Sequence, residues 1–355
     1  MKKLLAIILC MALIVSATAC GEGQKESTPA ASQSSTQATQ DKQVTIKLSM
    51  NNPSLVKSDS DESSFSVTFK EYVEAHSDTI KVDLYPGSQL GPAQDAVAAI
   101  SANTIEMGIY DISYLNNYDP KTMAFSTPGF FKDYNEVNKI MDSDWAKNLL
   151  AESAKIHNIM VLGATCKGMR CFTCSGKELR KVEDIAGLTI RVMDSPLYTK
   201  MVQCLSANPQ PMAWSEVYVA LQNHVIDGQE NPISNYMNEK LYEVQDWCVL
   251  DNHAPCIVMY MINKQFYEGL SDAQRKVIDE GIEEAKKAAR ETADTLNKEN
   301  AAALEAKGMT IYQPTDEELA AWQAAYAEEC AKYVREQVGD EVMNGMEQAL
   351  AAARK

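Results

Sequence analysis

The segment VTIKLSMNNPSLVKSDSDESSFSVTFKEYVEAHSDTIKVDL, residues 44–84, determines the class of fold. Its two ends, Val44–Met50 and 80–84, alternate apolar and polar residues, a pattern typical of strands with one buried face. The residues between them place four apolar side chains on one face of a helix, namely Phe65, Phe69, Tyr72 and Val73. A strand, a helix and a second strand in this order predict a βαβ unit.

The same alternation of strands and helices continues to residue 262, which predicts a mainly parallel α/β sheet in two lobes. Two strand crossings between the lobes, near 164–170 and 252–256, would form a hinge beside a cleft. We therefore expect lobe I to contain 44–168 with about 257–290, and lobe II to contain 169–256 with about 291–355. The predicted helices are 92–102, 135–154, 196–205 and 215–222, and the further predicted strands are 105–112, 159–163, 170–173, 188–193, 247–250 and 256–262.

A helix of unusual length is predicted after the second lobe. Ser271 is a favourable N-cap, and the helical pattern continues to Ala306 before Gly308. At 1.5 Å per residue this helix would be roughly 50 Å long, which is enough to brace both lobes. A final amphipathic helix is expected over 315–338.

The composition excludes several classes of protein. The chain has 355 residues, of which 45% are hydrophobic and 23% charged, as in soluble globular proteins of about two domains. Its 33 basic and 49 acidic residues give a formal net charge of −16 at pH 7. Nucleic acid is therefore not expected as a partner, because phosphate binding relies on clustered Lys and Arg.

The N-terminus has the pattern of an export signal. Lys2 and Lys3 precede an uncharged apolar run over 4–15, which is shorter than the ~20 residues that a membrane-spanning helix needs. We expect residues 1–19 to be a signal peptide and the protein to act outside the cytoplasm, at the membrane or in the periplasm.

The residues after the apolar run resemble a bacterial lipoprotein signal. Small residues, Ala17 and Ala19, precede Cys20, and in lipoproteins such a cysteine receives a diacylglyceryl group that anchors the chain to the membrane. Ala17 and Ala19 also suit ordinary signal peptidase, which is the alternative. The Ser-, Thr- and Gln-rich residues 20–43 would then be a flexible tether, because they bury little apolar surface.

Seven cysteines follow this N-terminal segment, and an odd number leaves at least one thiol unpaired. The spacing of Cys166, Cys171, Cys174 and Cys204 matches that of plant-type [2Fe–2S] ferredoxins. However, residues 170–175 are predicted as a strand, which would point Cys171 and Cys174 to opposite faces. Small core cysteines or a local disulfide are favoured, and an iron–sulfur protein is the alternative.

Motifs for other chemistry are missing from the sequence. The four histidines show no paired spacing for zinc, and surface or internally satisfied histidines are expected; they are His76, His157, His224 and His253. The GxSxG and GxGxxG patterns of hydrolases and dinucleotide-binding proteins do not occur. We therefore predict neither a metal nor a cofactor, and an exported enzyme with an unmarked site is only an alternative.

Several stretches together resemble the solute-binding proteins of TRAP (tripartite ATP-independent periplasmic) transporters. The resemblance covers roughly residues 44–338 and implies a periplasmic-binding-protein-like α/β fold of type II, with two lobes, hinge strands and a long helix that spans both. The matching stretches are YPGSQLGPAQDAVAAISANTIEMGI (85–109), GMRCFT (168–173), DIAGLTIRVMDSP (184–196), NPQPMAWSEVYVALQNHVIDGQENP (208–232) and LDNHAP (250–255).

The resemblance also implies ligand-binding residues. Arg191 occupies the position of the arginine that binds the ligand carboxylate, a role that suits the planar fork of a guanidinium. Arg170 corresponds to a second cationic contact. From the residues alone, Arg191 could instead be a solvent-facing strand residue, and Arg170 could be part of a hinge ion pair.

Further contacts follow from the same resemblance. Asn231 matches a residue that hydrogen-bonds the acid, with a turn before Pro232 as its alternative. Trp214 matches an aromatic residue of the cleft, with core packing as its alternative. Weaker matches are Tyr218 and Asp111, and polar or basic contacts are expected where this chain has Asn51 and Asn52.

The function implied is that of a receptor outside the cytoplasm. It would capture a carboxylate-bearing organic acid, either a C4-dicarboxylate or a sugar acid such as a uronate, by closure of the cleft. It would then deliver this ligand to the membrane subunits of a TRAP transporter. A ligand-sensing binding lipoprotein, an exported enzyme and an iron–sulfur protein are the alternatives.

Overall fold

One mixed β-sheet organises residues 42–355, the part of the chain that this computed structural model describes. The predicted signal peptide, Cys20 and nearly all of the predicted tether lie outside the described residues. The strands are β1 (Val44–Met50), β2 (Ile80–Tyr85), β3 (Met107–Asp111), β4 (Ile159–Cys174), β5 (Thr189–Val192), β6 (Asn208–Pro211), β7 (Gly228–Pro232), β8 (Trp247–Asn263) and β9 (Thr310–Tyr312). Their hydrogen-bonded order is β2-β1-β3-β8-β4-β7-β5-β6, and β9 pairs with β8.

Helices pack around this sheet, and most of them were predicted; the short helices over 233–238 and 264–268 were not. Between residues 42 and 355, no helix combines the length and apolar character that a membrane crossing requires. The helices are α1 (Asp61–His76), α2 (Ala93–Ser101), α3 (Tyr134–Met141), α4 (Asp144–His157), α5 (Pro196–Cys204), α6 (Trp214–Gln222), α7 (Ile233–Asn238), α8 (Lys264–Glu268), α9 (Asp272–Ala306) and α10 (Asp316–Ala353).

The strand order confirms the two-lobed α/β fold. In lobe I, β1 pairs in parallel with β2 and β3. In lobe II, β5 pairs in parallel with β6 and β7. The long strands β4 and β8 lie between these two groups and pair with each other along both lobes.

The prediction of a mainly parallel sheet is wrong at its centre. β8 is antiparallel to β3 and β4, and β4 is antiparallel to β7. The reason is that four predicted strands form two continuous ones: 159–163 and 170–173 are both parts of β4, while 247–250 and 256–262 are both parts of β8. The predicted hinge segments therefore lie within strands, and register shifts between Cys166 and Gly168 and between Arg170 and Phe172 interrupt the ladder there.

The predicted helix 135–154 is two helices, α3 and α4. The first ends at Met141, and Ser143 caps the second by accepting a hydrogen bond from the backbone N–H of Ala146. The short strands β6 and β7 were not predicted, because their Asn, Pro and Gly residues are more typical of turns. β9 was not predicted either, because its three residues are too few to show a pattern.

The long helix α9 confirms its prediction in both extent and position. Ser271 caps it, and the side chain of Gln274 completes a capping box. Ile282 is buried in the core formed by α1 and β1, whereas Leu304 is buried with Tyr236 in a core of lobe II. The helix therefore contacts both lobes.

The last helix, α10, extends beyond its predicted end. Gly339 has φ 83° and ψ 167°, so the helical geometry is interrupted one residue after the predicted end at 338. A second helical segment then continues to Ala353 and buries Met343, Met346 and Leu350.

Candidate ligand-binding site

A narrow cavity of about 40 Å³ lies between the two lobes. Lobe I contributes residues of β3 and residues that follow β1, and lobe II contributes β5, β7 and the ends of α6 and α7. Five of the six predicted ligand contacts line this cavity, and so do Asn51 and Asn52. The five contacts are Asp111, Arg170, Arg191, Trp214 and Asn231.

Arg191 on β5 is held rigidly in the wall of the cavity. Its side chain is 1% exposed, so the alternative of a solvent-facing strand residue is wrong. Nε and Nη2 donate to the carbonyl of Met212 at 3.0 and 2.7 Å, and the guanidinium lies 5.4 Å from the centroid of the Trp214 ring. Burial and then repulsion by Arg170 lower the pKa of Arg191, and an anion beside it would relieve both effects.

Arg170 on β4 forms the hinge ion pair that was the alternative to a ligand contact. Nε lies 2.5 Å and Nη2 3.0 Å from the two carboxylate oxygens of Glu230, which is a fully buried ion pair in the hinge strand. Nη1 is also buried and makes no hydrogen bond among the described residues, although it lies 3.5 Å from Asp111 Oδ2. Arg170 is therefore held by the hinge pair and still has a donor available at the cavity.

Three further charged residues lie behind Arg170, namely Glu230, His253 and Asp251. The ring nitrogens of His253 lie 2.9 Å from Asp251 Oδ2 and 3.2 Å from Glu230 Oε2. Burial alone would lower the pKa of His253, but the two carboxylates outweigh it and raise the pKa to about 9. An imidazolium therefore donates to both neighbours.

Glu230 is held ionised by its two cationic neighbours. Burial would raise the pKa of its carboxyl, but Arg170 and His253 together lower it to about 2. Sequence reasoning missed this residue, although Glu230 lies directly before Asn231 in the stretch GQENP. His253 is internally satisfied, which is one of the two expectations for the histidines.

Asn231 lies in β7 rather than in a turn. Its amide group donates to Gln229 Oε1 at 2.7 Å and accepts from Asn235 Nδ2 at 2.9 Å. Both ends of the side chain are therefore fixed where it lines the cavity.

Trp214 is the first residue of α6, where it lines the cavity and also packs against a core of lobe II. Its ring borders Arg191, and Nε1 donates to Glu239 Oε1 at 3.3 Å.

On the opposite lobe, Asp111 accepts hydrogen bonds from the backbone N–H of Ser113 at 2.8 Å and from Cys256 Sγ at 3.1 Å.

Tyr218 does not line the cavity that contains the two arginines. It lies one helical turn after Trp214, and its hydroxyl donates to Glu243 Oε2 at 2.7 Å. It borders an adjacent pocket, which also includes Asn51. We therefore leave Tyr218 out of the proposed ligand contacts.

Two further carboxylates line the cavity and were not predicted. Glu62, in the first turn of α1, accepts from Lys167 Nζ at 3.1 Å, and Lys167 is also 3.4 Å from Asp61. Glu239 follows α7. Burial raises the pKa of both Glu62 and Glu239. In the sequence, both residues resemble ordinary solvent-facing acids at helix ends.

The cysteine pattern has no common site. Cys171 belongs to a core of lobe II, whereas Cys166 and Cys174 belong to a different core, so the neighbours Cys171 and Cys174 face opposite ways as predicted. All seven cysteines between 166 and 330 are free thiols. Within residues 42–355, no group of three or more His, Cys, Asp and Glu side chains is arranged to hold a metal ion.

Comparison with known proteins places this cavity in context. Residues 55–337 match the family model described as bacterial extracellular solute-binding protein, family 7. An uncharacterized protein of Haemophilus influenzae is 33% identical over 206 residues, which are 58% of this chain and 62% of that protein. The latter share is less than two thirds of that relative's length.

Two further comparisons cover more of the partner chain. The C4-dicarboxylate-binding periplasmic protein DctP of Shewanella loihica is 32% identical over 256 residues, which are 72% of this chain and 76% of that protein. A crystal structure of a TRAP periplasmic solute-binding protein from Shewanella oneidensis with bound succinate superposes with a TM-score of 0.81. It is 28% identical, and the match covers 88% of this chain and all of that one.

Proposed function

The chain belongs to family 7 of the bacterial extracellular solute-binding proteins, and from that membership we propose that it is the solute receptor of a TRAP transporter. It captures an organic acid that bears a carboxylate, either a C4-dicarboxylate or a sugar acid such as a uronate. It then delivers this acid to the membrane subunits of the transporter. The family is one of receptors rather than a class of enzymes, and we propose that this chain acts without catalysis.

The observation that carries the proposal is the pair of buried arginines in the cavity. Burying a cation without a partner is costly, and Arg191 has no carboxylate within ion-pair distance among the described residues. A ligand carboxylate would provide that partner, and the free Nη1 of Arg170 would donate to the same anion or to a neighbouring oxygen. Trp214 and Asn231 would fix the orientation of the ligand from the side of lobe II.

Cleft closure would couple binding to delivery. The lining residues come from both lobes, so a ligand gains the full set of contacts only when the lobes approach each other. The ligand can shift this equilibrium only by its higher affinity for the closed form. The interrupted ladder of β4 and β8 is where we propose that the bending occurs.

We also propose that the receptor remains at the outer face of the membrane. An acylated Cys20 would be the anchor, and the residues up to 43 would be the tether that keeps the two lobes near the transporter.

The test is the replacement of Arg191 by methionine and, separately, by lysine. Methionine keeps a long side chain for packing, which matters because Arg191 is buried and supports Met212, so Arg191→Ala is not expected to leave the fold unperturbed. Truncating one partner of a buried charged pair costs about 2–5 kcal/mol, so we expect affinity for the acid to fall at least about 30-fold. Lysine should rescue little, since it lacks the two-pronged geometry.

Calorimetry with the acid selected by a thermal-shift screen gives the affinities. Arg335→Ala, which removes an arginine of α10 that is ion-paired at the surface, is the matched control and should bind as the wild type does. Wild-type affinity in a folded Arg191→Met protein would refute the proposed function.

A further inference from the structure

The cavity between the lobes has carboxylates of its own as well as arginines. Among the described residues that line it, two are cations, Arg170 and Arg191, and three are acids, Glu62, Asp111 and Glu239. A receptor for a dianion would instead be expected to present an excess of positive charge. The charged residues that line the cavity therefore indicate the chemistry of the rest of the ligand, in addition to its one carboxylate.

The positive charge available to a ligand corresponds to about one carboxylate. Arg170 is already paired with Glu230, and Asp111 lies 3.5 Å from its remaining nitrogen. Arg191 donates to the neutral carbonyl of Met212 instead. It is thus the cation whose charge a ligand has to balance.

The negative charge is in excess at the wall that contains Glu62 and Glu239. Among residues 42–355, Lys167 is the one ammonium within ion-pair distance of Glu62, and Asp61 shares it at 3.4 Å. Glu239 accepts a hydrogen bond from the indole of Trp214, which is neutral. A second ligand carboxylate placed here would meet like charges in a poorly hydrated space, whereas a hydroxyl or an ammonium would donate to these oxygens.

Side-chain amides complete the same region. Asn51, Asn52, Asn235 and Asn238 line the cavity. Asn238 Nδ2 is buried and makes no hydrogen bond within residues 42–355. An amide both donates and accepts, which suits hydroxyl groups that do the same.

We propose, on the basis of the function proposed above, that the ligand is a monocarboxylate whose far end donates hydrogen bonds. Its carboxylate would lie at Arg191, and its hydroxyl or ammonium groups would face Glu62, Glu239 and the amides. Glu239 then determines specificity, because it excludes acids that have a second carboxylate at this end. This choice separates the chain from the relative whose name specifies C4-dicarboxylates.

Matched ligands test the proposal. Galactonate and galactarate share a six-carbon polyhydroxy skeleton and differ in whether the far end is a hydroxymethyl or a carboxylate. In the same way, 4-hydroxybutyrate, 4-aminobutyrate and succinate share four carbons and differ at the far end. Calorimetry at pH 7.5 gives the affinities. For the skeleton that binds better, we expect the monocarboxylate to bind at least about 10-fold more tightly than its dicarboxylate. Comparison of 4-hydroxybutyrate with 4-aminobutyrate then shows whether the far end is a hydroxyl or an ammonium.

The variant Glu239→Gln keeps the size of the side chain and removes its charge. We expect the preference for the monocarboxylate to shrink at least about 3-fold, mainly because the dicarboxylate binds more tightly. Glu243→Gln is the matched control: Glu243 accepts from Tyr218 outside the cavity, so its replacement should leave the ratio unchanged.

The outcomes separate the two proposals. A dicarboxylate that binds the wild type as tightly as its monocarboxylate partner overturns the monocarboxylate assignment and leaves the receptor function in place. A ratio that Glu239→Gln does not change overturns the role of Glu239. If no acid binds in a manner that depends on Arg191, the receptor function itself fails, and the ligand assignment fails with it.

Discussion

Arg170 is fixed in the wall of the cavity by residues that do not themselves line it. Glu230 grips two of its nitrogens, and Tyr198 lies under the guanidinium with its ring centroid at 5.1 Å. His253 lies between Glu230 and Asp251 and is within ion-pair distance of both. At the scale of single residues, the cavity depends on Glu230, Tyr198 and His253 as much as on the side chains that line it.

Replacing Glu230 by glutamine should therefore lower the free energy of unfolding, even when no ligand is present. The variant leaves Arg170 and His253 charged and buried without their shared partner, and breaking a buried pair in this way costs about 3–5 kcal/mol. Urea unfolding measures the loss. The double variant Arg170→Met/Glu230→Gln should recover part of it, and a Glu230→Gln protein as stable as the wild type would show that the pair is unimportant for folding.

The sequence could predict Arg170, Arg191, Trp214 and Asn231 as cavity residues because they lie in distinctive stretches. It could not predict which charges face one another. Glu230 contacts Arg170 across 60 positions of sequence because β7 pairs with β4 with Arg170 opposite Pro232. Glu62 and Glu239 meet in one cavity only when the two lobes are assembled, and no local pattern encodes that arrangement.

At the scale of elements, regular patterns were predicted well and strands buried on both faces were not. β1 and α9 have clear periods of two and of about 3.6 residues, and both were found at their predicted positions. The middle of β4, from Ala164 to Gly168, is buried throughout although it contains Thr165 and Lys167, so the polar residues there do not mark a solvent-facing segment. The break predicted between its two halves was therefore absent.

Gly339 shows how one glycine determines the course of α10. Its φ of 83° and ψ of 167° lie in a region that residues with a Cβ avoid. No heavy atom lies within 4 Å of the position that a Cβ would occupy, so the expected effect of Gly339→Ala comes from the backbone alone, a loss of about 1–3 kcal/mol.

Thermal unfolding measures that loss, and Gly269→Ala is the matched control. Gly269 has φ −79° and ψ −8°, which alanine adopts without backbone strain. A Cβ there would lie 3.3 Å from the carbonyl oxygen of Gln265, so this change should cost less than Gly339→Ala. Equal melting temperatures for the two variants would contradict the account of α10.

At the scale of the whole molecule, the buried charges predict how the free energy of unfolding varies with pH. His253 has a folded pKa of about 9, above its ordinary 6.5, so its stabilising contribution is complete below pH 6.5 and is lost as the pH rises towards 9. Glu230 has a folded pKa of about 2, below its ordinary 4.5, so its contribution is present above pH 4.5 and is lost as the pH falls towards 2.

These two residues together predict greatest stability between pH 4.5 and 6.5. Urea unfolding at pH 5.5, 7 and 9 should show a decline on the alkaline side of up to about 3 kcal/mol from His253. His253→Gln removes the titrating group, so its stability should change less over this range. A wild type and a variant with parallel profiles would rule out this role for His253.

The place of β8 in the sheet has a consequence for the order in which the protein is made. β8 separates β3 from β4, so a chain that has emerged from the ribosome only as far as Cys174 holds four strands of the sheet but lacks the one that joins them. The strands of lobe I cannot be joined to β4 until β8 has been synthesised as far as Asn263. The nascent polypeptide thus lacks a complete sheet for most of translation, a delay that suits a member of an extracellular protein family.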